Sequence, residues 1–378
     1  MAMGFNNYLP TRVISGKDCV LKYNFTKFGS HAFIVCGKTG AVKSGLLKDL
    51  EKTLKSQKID YYIYDEIEPN PTAVSAHLAG AMAREFSADF IIGAGGGSAM
   101  DAAKAAAVFA ENEKLTPPQI FTTKITDALP IITIGTTAGT GSEVTPYSIL
   151  TYVATDECLH KKSVKSPLLY AKICLCDAKY TMSLDWETTV NTALDTLCHA
   201  IEGIYSKRCN DMSRMYSLET VRVCWSMLKK AYWKGVVEKG EISFEIREKL
   251  LFASIIGGYV INITGTSYPH TMGYNLTTKK GIPHGKACAV FLSDFVRRMS
   301  PFDKESTALL EEAIGEDTLS EFLDAIDNLI GNILVLSDEE ARSLAEELAD
   351  SKALTSAISD ITIDDVYLIY RKCFCQIK

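Results

Sequence analysis

DFIIGAGGGSAMDAAKAAAVFA (89–110) decides the architecture. It opens with a short apolar run that ends in glycines, and it continues as an Ala-rich segment of helical character. This is a strand, a glycine turn and a helix in succession. Glycines let backbone N–H groups approach an anion, and a helix N-terminus adds a favourable dipole, so a pyrophosphate is the natural occupant of the loop. A triple glycine alone also makes an ordinary tight turn; the flanking strand and helix give it weight.

The same alternation extends outward. HAFIVCG (31–37) reads as a strand running into a glycine turn, AVKSGLLKDLEKTLKSQ (41–57) as a helix, DYYIYDEI (60–67) as a strand and TAVSAHLAGAMAREF (72–86) as a helix. Downstream, PIITIGTT (130–137) is a strand that runs into a second loop, GTTAGTGSEVTP (135–146), with hydroxyls at Thr136, Thr137, Thr140 and Ser142. Strands and helices in alternation predict a parallel, doubly wound sheet. From about residue 184 the pattern is helical almost throughout, from WETTVNTALDTLCHAIEGIYS (186–206) onward. The expected division is an α/β domain over 1–183 and an all-α domain over 184–378. Ligands are expected between the two and at the carboxyl ends of the strands.

The helical half carries a second signal. Asp195 and His199 lie four apart in DTLCH and share one helix face, while His270 and His284 follow as H-x13-H. Three of the six histidines fall in this one pattern. A carboxylate with three imidazoles makes a shell for a divalent first-row metal and suits Mg²⁺ poorly. Taken one at a time, each of these residues reads as a buried or capped polar group. A dehydrogenase, a hydrolase and a structural site all use such shells.

Bulk properties exclude several classes. The net charge is −6 and the pI is about 5.7, so no basic excess exists to neutralise nucleic-acid phosphates. Short clusters such as Lys161-Lys162 and Lys279-Lys280 read as solvated faces. No apolar run approaches the roughly 20 residues of a membrane span. The opening MAMGFNNYLPTR has neither the charged nor the apolar region of a signal peptide. Eleven scattered cysteines without a C-x-x-C pair then read as reduced thiols in a cytosol, each a small buried apolar residue.

GGGSAMD, TTAGTGSEVT, DTLCHAIEG and IPHG, in this order, resemble the iron-containing (group III) alcohol dehydrogenases, and the resemblance runs from PTRVISGK (10–17) through EPNPT (68–72) into the helical half. It implies a Rossmann-like NAD(P) domain followed by a helical metal-binding domain, the dehydroquinate synthase-like fold, in a homodimer. It assigns the metal to Asp195, His199, His270 and His284, with Fe²⁺ favoured and Zn²⁺ the alternative. It assigns the dinucleotide to Asn70, Gly95, Gly96, Gly97, Ser98, Asp101, Thr136, Thr137, Thr140 and Lys162.

Two departures from the family pattern stand out. Members often carry a further histidine four residues after the third metal ligand; here Tyr274 occupies that place, and its pKa near 10 suits a different proton relay. With His270 and His284, it completes the expected catalytic group. NAD-preferring members often end the HAFIVCG strand on an aspartate. Here Gly37 and Lys38 stand there, which admits a 2′-phosphate and predicts preference for NADP(H) over NAD(H). The expected reaction is hydride transfer between the nicotinamide and a small primary alcohol, diol or aldehyde, with the metal polarising the substrate oxygen. Alternatives are a glycerol dehydrogenase-like polyol oxidoreductase, a dehydroquinate synthase-like lyase and a non-catalytic nucleotide-binding protein. The lyase would need several Lys or Arg residues for an anionic substrate. Beyond Lys279, Lys280 and Lys286, none lies around HTMGYNLTTKKGIPHG.

Overall fold

The computed structural model describes residues 4–153, 159–233 and 242–375. Eight strands are present among them: β1 (Arg12–Ser15), β2 (His31–Val35), β3 (Asp60–Tyr64), β4 (Phe90–Gly95), β5 (Ile131–Gly135), β6 (Tyr147–Val153), β7 (Leu159–Lys165) and β8 (Ile173–Cys176). Six of them form one sheet in the order β1-β8-β5-β4-β2-β3, and every pairing in it is parallel.

Alternate residues of the central strands feed the two faces of the sheet. Ile34, Ile92 and Ile134 pack on one side with Leu46, Leu50 and Leu54. Phe33, Val35, Ile91 and Ile131 pack on the other with Ala79, Ala83, Ala103 and Ala106. The small alanines let the helices Ala73–Glu85 and Gly97–Glu111 close on each other: a methyl added at Gly80 would lie 2.5 Å from Phe109 Cβ. Burial on both faces explains why β4 and β5 read as unbroken apolar runs.

The chain moves outward from β2 to β3, returns across to β4 and then proceeds to β5. The direction of travel therefore reverses between β2 and β4, where a doubly wound sheet opens a crevice at its carboxyl edge.

Two local features differ from the sequence reading. The segment 41–57 is two helices, Gly40–Lys43 and Leu46–Ser56, because Gly45 sits in the left-handed region at φ 79°. β6 and β7 form a separate antiparallel pair that periodicity missed, since β7, LHKKSVK, has no apolar alternation to mark it.

The described residues fall into two compact units. One is drawn from Tyr8–Asp185 with Ile242–Leu251, the other from Trp186–Glu241 and Phe252–Lys378 with Met1–Asn7. All eight strands belong to the first unit, and the second is helical. Among the described residues, no single helix is long and apolar enough to cross a membrane.

Candidate metal and dinucleotide sites

The predicted metal ligands converge within the helical unit. Asp195 and His199 project from the helix Trp186–Ile204, His270 from the first turn of Tyr268–Lys280, and His284 opens the short helix His284–Ala289. The Nε2 atoms of His270, His199 and His284 lie 3.4, 3.8 and 3.8 Å from one oxygen, Asp195 Oδ1. His199 and His270 stack with ring centroids 4.7 Å apart. Asp195 and His270 are almost wholly buried, whereas the His284 side chain keeps 26% of its exposure.

Burial alone would raise the Asp195 carboxyl. The three imidazoles outweigh it and hold that carboxyl well below the ordinary carboxylate range. Asp195 Oδ1 and His270 Nε2 are both buried without a hydrogen-bond partner among the described residues. Orphaned groups of this kind are expensive in a protein interior. A divalent cation accounts for them, and the nitrogen-rich donor set suits a first-row transition metal.

Glu202, which sequence reading passed over, organises the cluster. Its Oε1 lies 2.5 Å from His270 Nδ1 and its Oε2 accepts the backbone N–H of Ser267 at 2.5 Å. A carboxylate only accepts, so Nδ1 carries the proton that faces Glu202, and Nε2, which faces Asp195, is the nitrogen that would give its lone pair to a bound metal in place of a proton. Burial disfavours charge on His270, but Glu202 and Asp195 outweigh it and push the imidazole up to about 10. The signal for Glu202 was present: Asp195, His199 and Glu202 are spaced i, i+4, i+7, one stripe of a helix.

Two glycines set the closeness of the helices. A Cβ on Gly285 would lie 1.8 Å from the carbonyl oxygen of Asn191. One on Gly273 would lie 2.7 Å from Cys288 Sγ. The helix His284–Ala289 is thus pressed between the other two by backbone contact, and the Lys286 N–H donates to Asn191 Oδ1 at 2.9 Å. Tyr274 stacks on His284 at 5.4 Å between centroids, with an interplanar angle of 11°.

In the α/β unit, a cavity of about 490 Å³ opens at the β2–β4 reversal point. Gly37, Lys38, Gly95, Gly96 and Ser98, all predicted dinucleotide contacts, line it together with Glu66, Ile67 and Glu68. Asn70 lies beside it in the left-handed region (φ 58°), its N–H donating to Ser98 Oγ at 3.2 Å. Gly95, at φ 149°, turns the chain into the helix Gly97–Glu111. The second loop lies against the first: Thr136 N–H donates to the Gly95 carbonyl at 2.9 Å, and added methyls at Gly96 and Gly97 would meet Thr137 at 3.3 Å and Thr140 at 2.7 Å. The glycines therefore let the two loops pack on each other, and the backbone of Gly95 and Gly96 forms part of the cavity wall at a helix N-terminus, a setting that fits a pyrophosphate.

Lys162 and Asp101, like the residues of the second loop, are not among the residues that line this cavity. Lys162, on β7, places Nζ 5.6 Å from the Phe121 ring centroid and 5.7 Å from that of Tyr152. Asp101 turns away from the cavity, accepting from Ser142 Oγ at 2.6 Å and from the Ile149 N–H at 3.1 Å.

Asp101 belongs to a buried ionic group behind the loops. Lys104 Nζ, fully buried, donates to Ser142 Oγ at 2.9 Å and to the Tyr147 carbonyl at 2.8 Å. Burial lowers Lys104 to about 8 and raises the neighbouring Glu143 to about 7. A raised folded-state pKa favours the protonated carboxyl. The contribution of Glu143 to stability is therefore full below about pH 4.5 and is lost as pH rises through about 7. Lys104 stays protonated below about pH 8, and comparison with Glu143→Gln separates Glu143 from the neighbouring Asp101, whose carboxyl burial also raises. In urea unfolding across that window, wild type should lose roughly 1–3 kcal/mol relative to Glu143→Gln. Parallel pH profiles for the two proteins would refute this.

A carboxylate ringed by imidazoles and a glycine cradle at a sheet reversal point to the class of metal-dependent dehydrogenases. Residues 10–178 match the profile of iron-containing alcohol dehydrogenases, and residues 189–372 match that of the C-terminal part of the Fe-containing alcohol dehydrogenase family. A sulfoacetaldehyde reductase of Bilophila wadsworthia (strain 3_1_6) is 30% identical over 333 residues, which is 86% of this chain and 82% of that protein. The crystal structure of an iron-containing alcohol dehydrogenase from Thermotoga maritima is 34% identical with a TM-score of 0.88, over 98% of this chain and 99% of that one. The sulfoacetaldehyde reductase of Bifidobacterium kashiwanohense, solved in complex with NAD⁺, is 25% identical with a TM-score of 0.86, over 98% and 99% of the two chains. The protein belongs to the iron-containing alcohol dehydrogenase family and is an oxidoreductase. Membership implies a divalent metal and NAD(H) binding.

Proposed function

We propose that the protein interconverts a small primary alcohol or diol and its aldehyde, with NADP(H) preferred over NAD(H) and Fe²⁺ or Zn²⁺ held by Asp195, His199, His270 and His284. The convergence of three imidazole nitrogens on the buried, orphaned Asp195 Oδ1 carries this reading. The bound metal supplies a Lewis acid that lowers the alcohol's pKa. The chain's own residues do the rest. Glu202 fixes the His270 tautomer, and the helix packing around Gly273 and Gly285 keeps the donors from relaxing apart. The glycine loops hold the pyrophosphate of the dinucleotide through backbone N–H groups. Lys38, on the wall of the cavity, offers a cation to a 2′-phosphate, and position 37 itself carries no carboxylate, although Glu66 and Glu68 line the same cavity.

Tyr274, stacked on His284, is assigned the relay that moves the substrate proton toward solvent. Removing a general acid–base group typically costs about 10²–10⁴-fold. Tyr274→Phe keeps the ring stack and removes only the hydroxyl, so it should lower turnover about 10²-fold with metal content unchanged. A silent Tyr274→Phe would reduce the residue to a packing partner of His284.

The defining experiment assays metal-replete protein on a panel of short aldehydes with NADPH and with NADH. Turnover with a higher kcat/KM for NADPH is expected. A higher value for NADH would sink the cofactor preference, and tight dinucleotide binding without turnover of any aldehyde or alcohol would sink the enzymatic reading.

A further inference from the structure

We infer that Lys104 is a positioning residue for the dinucleotide: its buried ammonium clamps the second glycine loop onto the first. The inference rests on the dinucleotide reading proposed above. It comes from where the acceptors of that ammonium lie. Lys104 is fully buried on the helix Gly97–Glu111, about two turns beyond the glycines that open it. Its Nζ donates to Ser142 Oγ at 2.9 Å, to the Tyr147 carbonyl at 2.8 Å and to Thr145 Oγ1 at 3.5 Å. An ammonium has three protons, and these acceptors use all of them. All three acceptors stand on the segment 142–147, directly after Thr136, Thr137 and Thr140.

Three observations separate a clamp from a space-filling side chain. Burying an ammonium is costly, and an apolar side chain of the same length would fill the space without that cost. The polarity of the contact is also fixed. Ser142 Oγ donates its single proton to Asp101 Oδ1 at 2.6 Å, which leaves its lone pairs for Lys104, while Asp101 Oδ2 accepts the Ile149 N–H at 3.1 Å. Asp101 and Lys104 are three apart on one helix face, so the helix grips the segment after the loop at two levels. Finally, the opposite end of the loop is tied to the cavity wall. Thr136 N–H donates to the carbonyl of Gly95, which lines the cavity with Gly96. The loop is thus held at both ends, and Lys104 is the far tie.

The consequence concerns binding more than chemistry. A loop already in place does not have to be ordered by its ligand, so the clamp raises affinity for the part shared by NADPH and NADH, the pyrophosphate.

The test uses the full chain with metal bound. Lys104→Met keeps the side-chain length and removes the charge. NADPH and NADH are titrated by nicotinamide fluorescence, and steady-state aldehyde reduction is measured in parallel. Kd and KM for both dinucleotides should rise about 10-fold, the change that loss of one charge-assisted hydrogen bond produces. The kcat at saturating dinucleotide, the KM for aldehyde and the metal content should not change. Ser142→Ala, a smaller disturbance, should move the dinucleotide constants the same way by less. Unchanged dinucleotide affinity in folded Lys104→Met would overturn the inference. A joint fall in kcat, metal content and affinity would make Lys104 a general support of the fold and would overturn it too. If Lys104→Met does not fold, Ser142→Ala decides: weaker binding supports the clamp and unchanged binding overturns it. Failure of the wild type to bind either dinucleotide would overturn the dinucleotide reading, and this inference with it.

Discussion

Asp195→Ala is expected to leave the protein folded, without bound metal and without measurable turnover. Asp195 Oδ1 is the one atom that all three imidazoles approach, at 3.4–3.8 Å, and it is the charge that makes their confinement tolerable. Without it, nothing at the centre of the cluster offsets the positive charge of a bound cation except Glu202, which is already engaged by His270 and Ser267. Losing an outer partner of a metal ligand typically costs about 10–100-fold in affinity, and losing a direct ligand costs more. Glu202→Gln, which keeps the shape and removes the charge, should fall in the smaller range. Metal content after dialysis, thermal melting with and without added metal, and aldehyde reduction separate the two variants. Retention of one metal per chain in Asp195→Ala would show that the cluster is not the metal site.

Gly285→Val should be nearly as damaging, although glycine bears no ligand. Its Cβ would lie 1.8 Å from the Asn191 carbonyl oxygen and 3.1 Å from the Asp195 amide nitrogen, both backbone atoms of a buried helix that cannot step aside. The helix His284–Ala289 must therefore move outward and carry His284 away from Asp195. Overpacking a tight core costs about 1–3 kcal/mol, so a lower melting temperature is expected together with loss of metal. Gly257→Ala is the control, since its methyl would meet Thr196 Cγ2 at 3.4 Å, Thr220 Cγ2 at 3.6 Å and the Thr196 carbonyl oxygen at 3.8 Å, all ordinary contacts. Normal metal uptake by Gly285→Val would show that the glycine contact does not position His284.

Much of this was legible in the chain. The doubly wound sheet was announced by apolar runs ending in glycines, because a strand buried on both faces must be apolar throughout and its following loop must make room for a ligand. Asp195, His199, His270 and His284 were legible because metal chemistry admits few residue types. The strand β7 was not, since LHKKSVK pairs through its backbone with no apolar face to betray it. Glu202 was hidden in a run of helix where a carboxylate is ordinary. Its place on the stripe of Asp195 and His199 was a signal, but its role shows only in its two contacts, at 2.5 Å each. The reading of the cysteines as small buried apolar residues fits Cys174, Cys224 and Cys288, which are almost wholly buried.

The sequence by itself determined the strand–helix alternation of the main sheet, the glycine loops and the types of the proposed metal donors, because each of these is local: periodicity, turn chemistry and ligand chemistry act over a few residues. The tertiary structure decided which donors meet. Asp195 and His284 are 89 positions apart, and they converge only because Gly285 lets one helix backbone press on another. It likewise turned Asp101 into a brace for the second loop. Such assignments depend on distances between segments remote in the chain, which no local pattern encodes.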